Sequence, residues 1–322
     1  MAFLTSIGSI LSIILMIALG FILRQRGWFS DSFAGNVSKL IMNVALPASI
    51  FVSVLKYLTR ETLFSLSNGL LYSFLAVFLG YVVAYILVAV LKVPVGRKGV
   101  FINTVVNANT IFIGLPLNIA LFGEKSLPYF LVYYVTNTVS TWAFGALIIA
   151  NDDPTKKNGS GSKKSFNWRK LLPAPLIGFL VALVFLLLTI PVPAFINSTL
   201  TYVGNIVTPL SLIYIGIVLC DAGLKSIHFD RDTIVALLGR FVLAPAVMIA
   251  LITFCGDIFG NLPTLESQTL IIQSAAPALA VLPILANEAH GDVEYATNIV
   301  TTSTILFVIV IPIINSLLGI LF

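Results

Sequence analysis

One apolar stretch, long enough to be a helix and unfit in its middle to be one, constrains this chain most. Residues 103–123 read NTVVNANTIFIGLPLNIALFG. Asn107, Asn109 and Thr110 are followed by Gly114 and Pro116. Gly lowers helix stability, and Pro also removes a backbone donor. Freed peptide groups cannot face hydrocarbon, so such backbone survives at membrane depth only inside protein or along a wet cavity. The stretch reads as a broken membrane helix whose interruption forms a binding site.

That reading requires a membrane protein, and composition agrees. Of 322 residues, 58% are hydrophobic and 10% charged, where soluble domains carry roughly 25% charge. Spans of about 20 apolar residues are predicted at 3–23, 37–57, 68–92, 99–122, 127–150, 171–190, 200–222, 233–255, 268–287 and 295–320. The first is not read as a cleaved signal, because no basic residue precedes it and the run is long enough to span. The polar segment 151–170, rich in Gly, Ser and Lys, reads as a linker between halves 1–150 and 171–322. Each half then holds five spans.

Lys and Arg fix the expected orientation. Arg24, Arg26, Lys92, Arg97, Lys98 and the linker lysines fall on one side, against Lys56, Arg60 and Lys125 on the other. Basic residues favour the cytoplasm, which puts both termini outside a plasma (inner) membrane and the linker inside. The net charge of +5 is thus a topology signal, and no nucleic-acid partner is expected.

Five spans per half make the second half inverted relative to the first. Asn43, Pro47 and Ser49 match Asn205, Pro209 and Ser211 in spacing, and Tyr134, Thr136 and Asn137 match Tyr295, Thr297 and Asn298. Pro116 to Asn137 and Pro277 to Asn298 are both 21 residues. The register predicts a second broken helix around Gln273, Ser274, Pro277 and Pro283. Paired discontinuous helices in inverted halves mark the substrate site of secondary transporters. Their free helix N-termini suit an anion.

Asn109, Thr110, Gly114 and Pro116, with Gln273, Ala275, Pro277 and Pro283, resemble the auxin efflux carrier family. Further similar stretches are Ala45–Pro47, Trp168–Leu171 and Arg240–Met248. The resemblance spans nearly the whole chain apart from the linker. It implies an all-α polytopic fold of ten transmembrane helices in two inverted five-helix repeats, with broken helices 4 and 9 crossed. It further implies a scaffold of helices 1, 2, 6 and 7, a transport domain of helices 3–5 and 8–10, elevator-like motion and a homodimer. The short linker is closest to the bacterial malate permease branch, which implies malate or a similar organic acid anion as partner. Auxin-like or monocarboxylate efflux, or proton- or sodium-coupled symport, is the alternative.

The resemblance places Asn109 and Thr110 at crossover positions, where Asn can donate to a substrate carboxylate; capping of the half-helices is the plainer role. Asn107, Gln273 and Ser274 are further binding candidates beside the breaks. Asn43, Asn137, Asn205 and Asn298 are polar residues inside apolar spans, suited to interhelical bonding or to substrate. Gly114, Pro116, Pro277 and Pro283 are expected crossover or hinge positions. Arg240, inside the eighth span, is a functional candidate by default; it could attract an anion, snorkel, or pair with Asp221.

No Asp or Glu falls near the middle of a predicted span, which favours uniport or exchange over cation coupling. Enzymatic chemistry is not expected. His228 and His290 lie in predicted loops, and the Glu288, His290, Asp292, Glu294 group reads as a solvated loop. Cys220 and Cys255 are isolated. No metal or cofactor is expected. A channel reading lacks a ring of charges or a carbonyl filter signature.

Overall fold

The computed structural model describes residues 2–155, 173–223 and 226–321. Most of the predicted linker, including Trp168–Leu171, lies outside the described residues. Helix α1 spans Ala2–Gln25, α2 Phe33–Tyr57, α3 Arg60–Leu91, α4 Lys98–Val106 and α5 Thr110–Phe122. The helix at 127–151 is α6, followed by α7 (Ala174–Leu188), α8 (Ala194–Ala222) and α9 (Arg231–Phe254). Then come α10 (Thr264–Ser274), α11 (Leu282–Glu288) and α12 (Val293–Leu321). Among the described residues, five helices are long and apolar enough to cross a membrane, and shorter apolar helices accompany them. The chain is an all-helical, multi-pass membrane protein.

Several prolines sit just after a widened π turn. Ile41–Ala45 precedes Pro47, Thr110–Gly114 precedes Pro116, and Gly239–Leu243 precedes Pro245. Pro clashes with the carbonyl one turn earlier and cannot donate to it, and the π turn accommodates both faults without ending the helix. Pro209 instead lies just beyond the break at Ile206 that interrupts α8.

Packing follows the size of the side chains. Helix α1 lies along the second part of α8 so closely that a Cβ on Gly20 would fall 2.3 Å from the Ile213 carbonyl oxygen, and one on Gly216 2.1 Å from that of Ile17. Between apolar helices in lipid, such small-residue contacts supply the van der Waals attraction that hydrophobic burial cannot. Helix α2 packs on α7 and α8, while α3 packs on α4, α6 and α9.

Polar ties close the helix ends. The Arg97 guanidinium donates to Asp230 (2.8 Å) and Asp292 (2.6 Å) and lies over the Tyr295 ring. Arg24 joins Asp31 and Asp221, each at 2.6 Å. Lys56 meets Glu124 at 3.4 Å, and the Tyr72 hydroxyl donates to the Gly260 carbonyl at 3.0 Å.

Candidate functional site

Helix α4 ends at Val106 and α10 at Ser274, and the extended segments that follow cross. Ala108 and Ala278 form an antiparallel bridge, in which the Asn109 N–H donates to the Pro277 carbonyl at 2.7 Å. A single bridge leaves most of the freed peptide groups to side chains. Asn137 of α6 serves both sides of Ala108: its Oδ1 accepts from the Ala108 N–H at 2.8 Å, and its Nδ2 donates to the Ala108 carbonyl at 2.9 Å. The Ala278 N–H is met by the Ser303 hydroxyl of α12 at 3.2 Å.

The register of the two breaks differs from the one read in the sequence. Pro277 forms the crossing itself, whereas Pro116 lies beyond it, in the first turn after the π turn of α5. The partner of Pro116 by position is Pro283, in the first turn of α11. Counted from the bridge, Pro116 lies eight residues after Ala108 and Pro277 one before Ala278, so the equal 21-residue spacing does not reflect equivalent places in the two breaks. Gly114 has ordinary helical angles (φ −60°, ψ −43°). Its lack of a side chain admits Gln273, whose Nε2 donates to the Gly114 carbonyl at 2.8 Å.

A cavity of about 210 Å³ opens at the crossing. It is lined by residues 108–112, by Tyr134, Asn137, Thr138 and Thr141 of α6, by Ser38 and Met42 of α2, and by Leu279–Val281. Asn109 caps α5, accepting from the Phe112 N–H at 3.2 Å through Oδ1. Its Nδ2 is buried and without a partner among the described residues, as is Oγ1 of Thr141. Thr110 begins α5, so a helix N-terminus with its partial positive charge also faces the cavity. Among the described residues, no lining residue is charged. Larger depressions, of about 870, 640 and 600 Å³, lie away from the crossing.

The other candidates lie elsewhere. Asn107 is buried and satisfied, accepting from the Ser140 hydroxyl and donating to Asn103 Oδ1 (2.8 Å) and to the Tyr81 hydroxyl (3.3 Å). Ser274 returns its hydroxyl to the Ile271 carbonyl. Asn298 binds the peptide of His228 and the Thr233 hydroxyl, so it fastens the loop before α9. Asn43 and Asn205 are exposed and away from the cavity.

Arg240 is fully buried, which excludes snorkelling, and Asp221 is bound by Arg24 instead. Its Nη2 donates to the Ser274 carbonyl at the C-terminal end of α10, and Tyr133 of α6 faces the guanidinium. A cation suits that end of a helix dipole. Arg240 thus steadies the crossing without lining the cavity.

The sequence matches the membrane transport protein family over residues 5–315. The chain belongs to this family, that of the auxin efflux carriers. It is 24% identical over 315 residues to an uncharacterized transporter of Methanothermobacter thermautotrophicus, covering 97% of this chain and 98% of that one. It is 22% identical over 300 residues to an uncharacterized transporter of Methanocaldococcus jannaschii, covering 92% and 93%. The family is one of membrane transporters, not of enzymes.

One acid of this carrier lies outside the expected spans yet inside the fold. Helix α10 starts at Thr264, not at 268, and carries Glu266 into the core at 0% exposure. Pro263 and Thr264 are the signal for that earlier start, since Pro readily precedes a helix and the first turn favours an acid. A hydropathy window discards both. Tyr134, Thr138, Thr141 and Ser303 were also missed, being ordinary residues of apolar helices that only the crossing selects.

Proposed function

We propose that this protein carries small organic acid anions, malate or a similar dicarboxylate, across the plasma (inner) membrane, with the crossover cavity as substrate site. The observation that carries this reading is the buried, unpartnered Nδ2 of Asn109 at a cavity where two chain breaks meet. An unpaired buried donor costs free energy unless a ligand accepts from it. A carboxylate is the acceptor best suited to an amide donor beside a helix N-terminus.

Cavity size narrows the class. At about 210 Å³ it holds the equivalent of about seven waters of roughly 30 Å³ each. It falls below the roughly 300 Å³ at which drug-sized sites begin. A few-carbon acid fits that space better than a large aromatic one, which favours malate-like substrates over auxin-like efflux.

The reading includes ten crossings in two inverted halves, with both termini outside. In support, Arg97, Asp230 and Asp292 belong to helix ends that this topology puts on the cytoplasmic side, and Lys56 and Glu124 to ends on the other. A scaffold of helices 1, 2, 6 and 7 is in keeping with the packing of α1 on α8 and of α2 on α7 and α8. Elevator-like motion of the remainder and a homodimer complete the proposal. Asn109, Thr110, Asn137 and the α5 N-terminus would hold the substrate, with Gln273, Asn107 and Arg240 supporting the crossing. Uniport or exchange is the reading for spans whose middles carry no acid; the buried Glu266 at the start of α10 favours cation coupling instead.

Uptake of labelled malate into proteoliposomes tests this reading. Replacing Asn109 by Ala removes a hydrogen bond to a charged group, worth about 1.5–3 kcal/mol, so KM should rise about 10- to 150-fold. Unchanged malate affinity in N109A, or no organic acid flux in the wild type, would refute it.

A further inference from the structure

Glu266 has no role in the crossing, yet it is fully buried and neither carboxyl oxygen has a partner among the described residues. Its site is made by the absence of a neighbouring side chain. A Cβ on Gly69 of α3 would stand 2.0 Å from Glu266 Oε1 and 3.4 Å from Val132 of α6. A side chain at 69 would force the carboxyl group to shift.

The elements packed against α10 bring no compensating charge to it. On α3, Tyr72 donates to the Gly260 carbonyl. On α6, Tyr129 is the titratable group that interacts with Glu266, and Tyr133 faces Arg240. Arg240 itself, on α9, donates to Ser274, two turns further along α10. In the turn 124–126, Glu124 is bound to Lys56 and Lys125 is exposed. The nearby segment of α5 has no titratable residue, and Tyr295 of α12 lies under Arg97. No cation among the described residues neutralises Glu266.

A carboxylate so placed costs several kcal/mol in desolvation. Glu266 stands in the first turn of α10, where the helix dipole returns about 0.3–1 kcal/mol, at most about 2. Desolvation wins, and the neutral acid is the form this packing accommodates. The polar atoms do not stop there. Thr269 Oγ1 and Gln273 Oε1, three and seven residues on, are also buried and unpartnered, as is Ser73 Oγ, one turn beyond Gly69. Residues at these spacings share a helix face. Glu266 thus shares a face of α10, over about 10 Å of helical rise, with the side chain that holds the Gly114 carbonyl at the crossing.

We propose that Glu266 is a proton-binding site and that this carrier moves one proton together with its organic acid anion. The proposal rests on the transport reading above and adds the coupling ion to it. The proton passes from water to a Glu266 carboxylate oxygen while the moving helices open this site to the entry side. It returns from that oxygen to water when they open it to the exit side. The loaded carrier crosses with the proton bound, and the empty carrier returns without it.

Two measurements on the full-length protein in liposomes test this. First, an infrared difference spectrum, wild type minus E266Q at neutral pH, should contain a protonated carboxylic acid C=O band that shifts in deuterium oxide. A difference showing only ionised carboxylate overturns the proposal. Should E266Q fail to fold, E266D moves the band instead of removing it. Second, with voltage clamped to zero, an inward gradient of one pH unit should raise wild-type malate accumulation about tenfold, the ratio for one coupled proton. E266Q, which mimics the protonated acid, should lose this accumulation and keep malate counterflow. Undiminished pH-driven accumulation in E266Q overturns the proposal. Absence of any organic acid flux in the wild type defeats the substrate reading alone, and the infrared band still decides the proton site.

Discussion

The contact of Gln273 with Gly114 is the side-chain link between the two broken helices, and a double-mutant cycle measures it. A methyl group on Gly114 would sit 2.4 Å from Gln273 Oε1, 3.2 Å from its Cδ and 3.3 Å from the Asn109 carbonyl oxygen. The first two contacts are too short to survive, so Gln273 must withdraw and its 2.8 Å bond to the Gly114 carbonyl is lost. Overpacking costs about 1–3 kcal/mol, and the lost bond about 0.5–1.5 kcal/mol. G114A should therefore destabilise the carrier by about 2–4 kcal/mol. Q273A loses the bond but also removes a buried, unpartnered Oε1, so it should cost less. In G114A/Q273A the new methyl meets no amide, and the double variant should be destabilised by about 1–3 kcal/mol less than the sum of the single effects, within the range of contacting residues. Equilibrium unfolding in mixed micelles gives the stabilities, and malate counterflow reports whether the crossing still works. Additive effects would refute the reasoning, because they would mean that Gly114 is not required for the approach of Gln273.

Two further outcomes follow from single residues. Removing Asn137 leaves the buried Ala108 N–H without a partner, at about 1–3 kcal/mol, while the Ala108 carbonyl keeps the bond from the Thr110 N–H at 2.9 Å; N137A should lose stability and counterflow together, and a variant of wild-type stability would show that the crossing holds without it. At Asp230, burial alone would raise the carboxyl group, but bonds from the Thr233 N–H and hydroxyl and from Arg97 hold it below the usual carboxylate range. Its stabilisation is thus present above the unfolded-state value, about 3.9, and is lost as pH falls through the lower folded value. D230A should be less stable than wild type at pH 7, by about 1 kcal/mol for the N-cap alone, and this difference should shrink as unfolding is measured below about pH 4.

The sequence made the breaks legible because Asn, Gly and Pro in a greasy run leave no other helical reading. The resemblance to the family pointed to Asn109 at the crossover, and the capping role read beside it is the one its Oδ1 fills. The pairing of the two breaks was misplaced because proline spacing counts residues, whereas the crossing is set by backbone geometry. The repeated asparagines were misleading for a related reason. Asn137 and Asn298 each bind both polar groups of one peptide, but that of Ala108 is at the crossing and that of His228 is in a distant loop. Glu266 escaped because hydropathy reports where a span is greasiest, not where its helix begins.

Glu266 changes what the membrane potential does to the proposed substrate. A malate dianion carried alone takes two negative charges inward, each opposed by about 2.3 kcal/mol per 100 mV of inside-negative potential. With one proton on Glu266 the same dianion moves a single net charge and the opposition is halved. A monoanion with its proton crosses without electrical work. The buried charge of Arg240 does not alter this sum, since it returns with the empty carrier. Current per malate taken up therefore counts protons directly: at fixed pH, E266Q should carry one more negative charge per malate than the wild type whenever net uptake persists. Equal charge per substrate in the two proteins would mean that the acid in α10 is structural, and that the anion at the crossing travels without it.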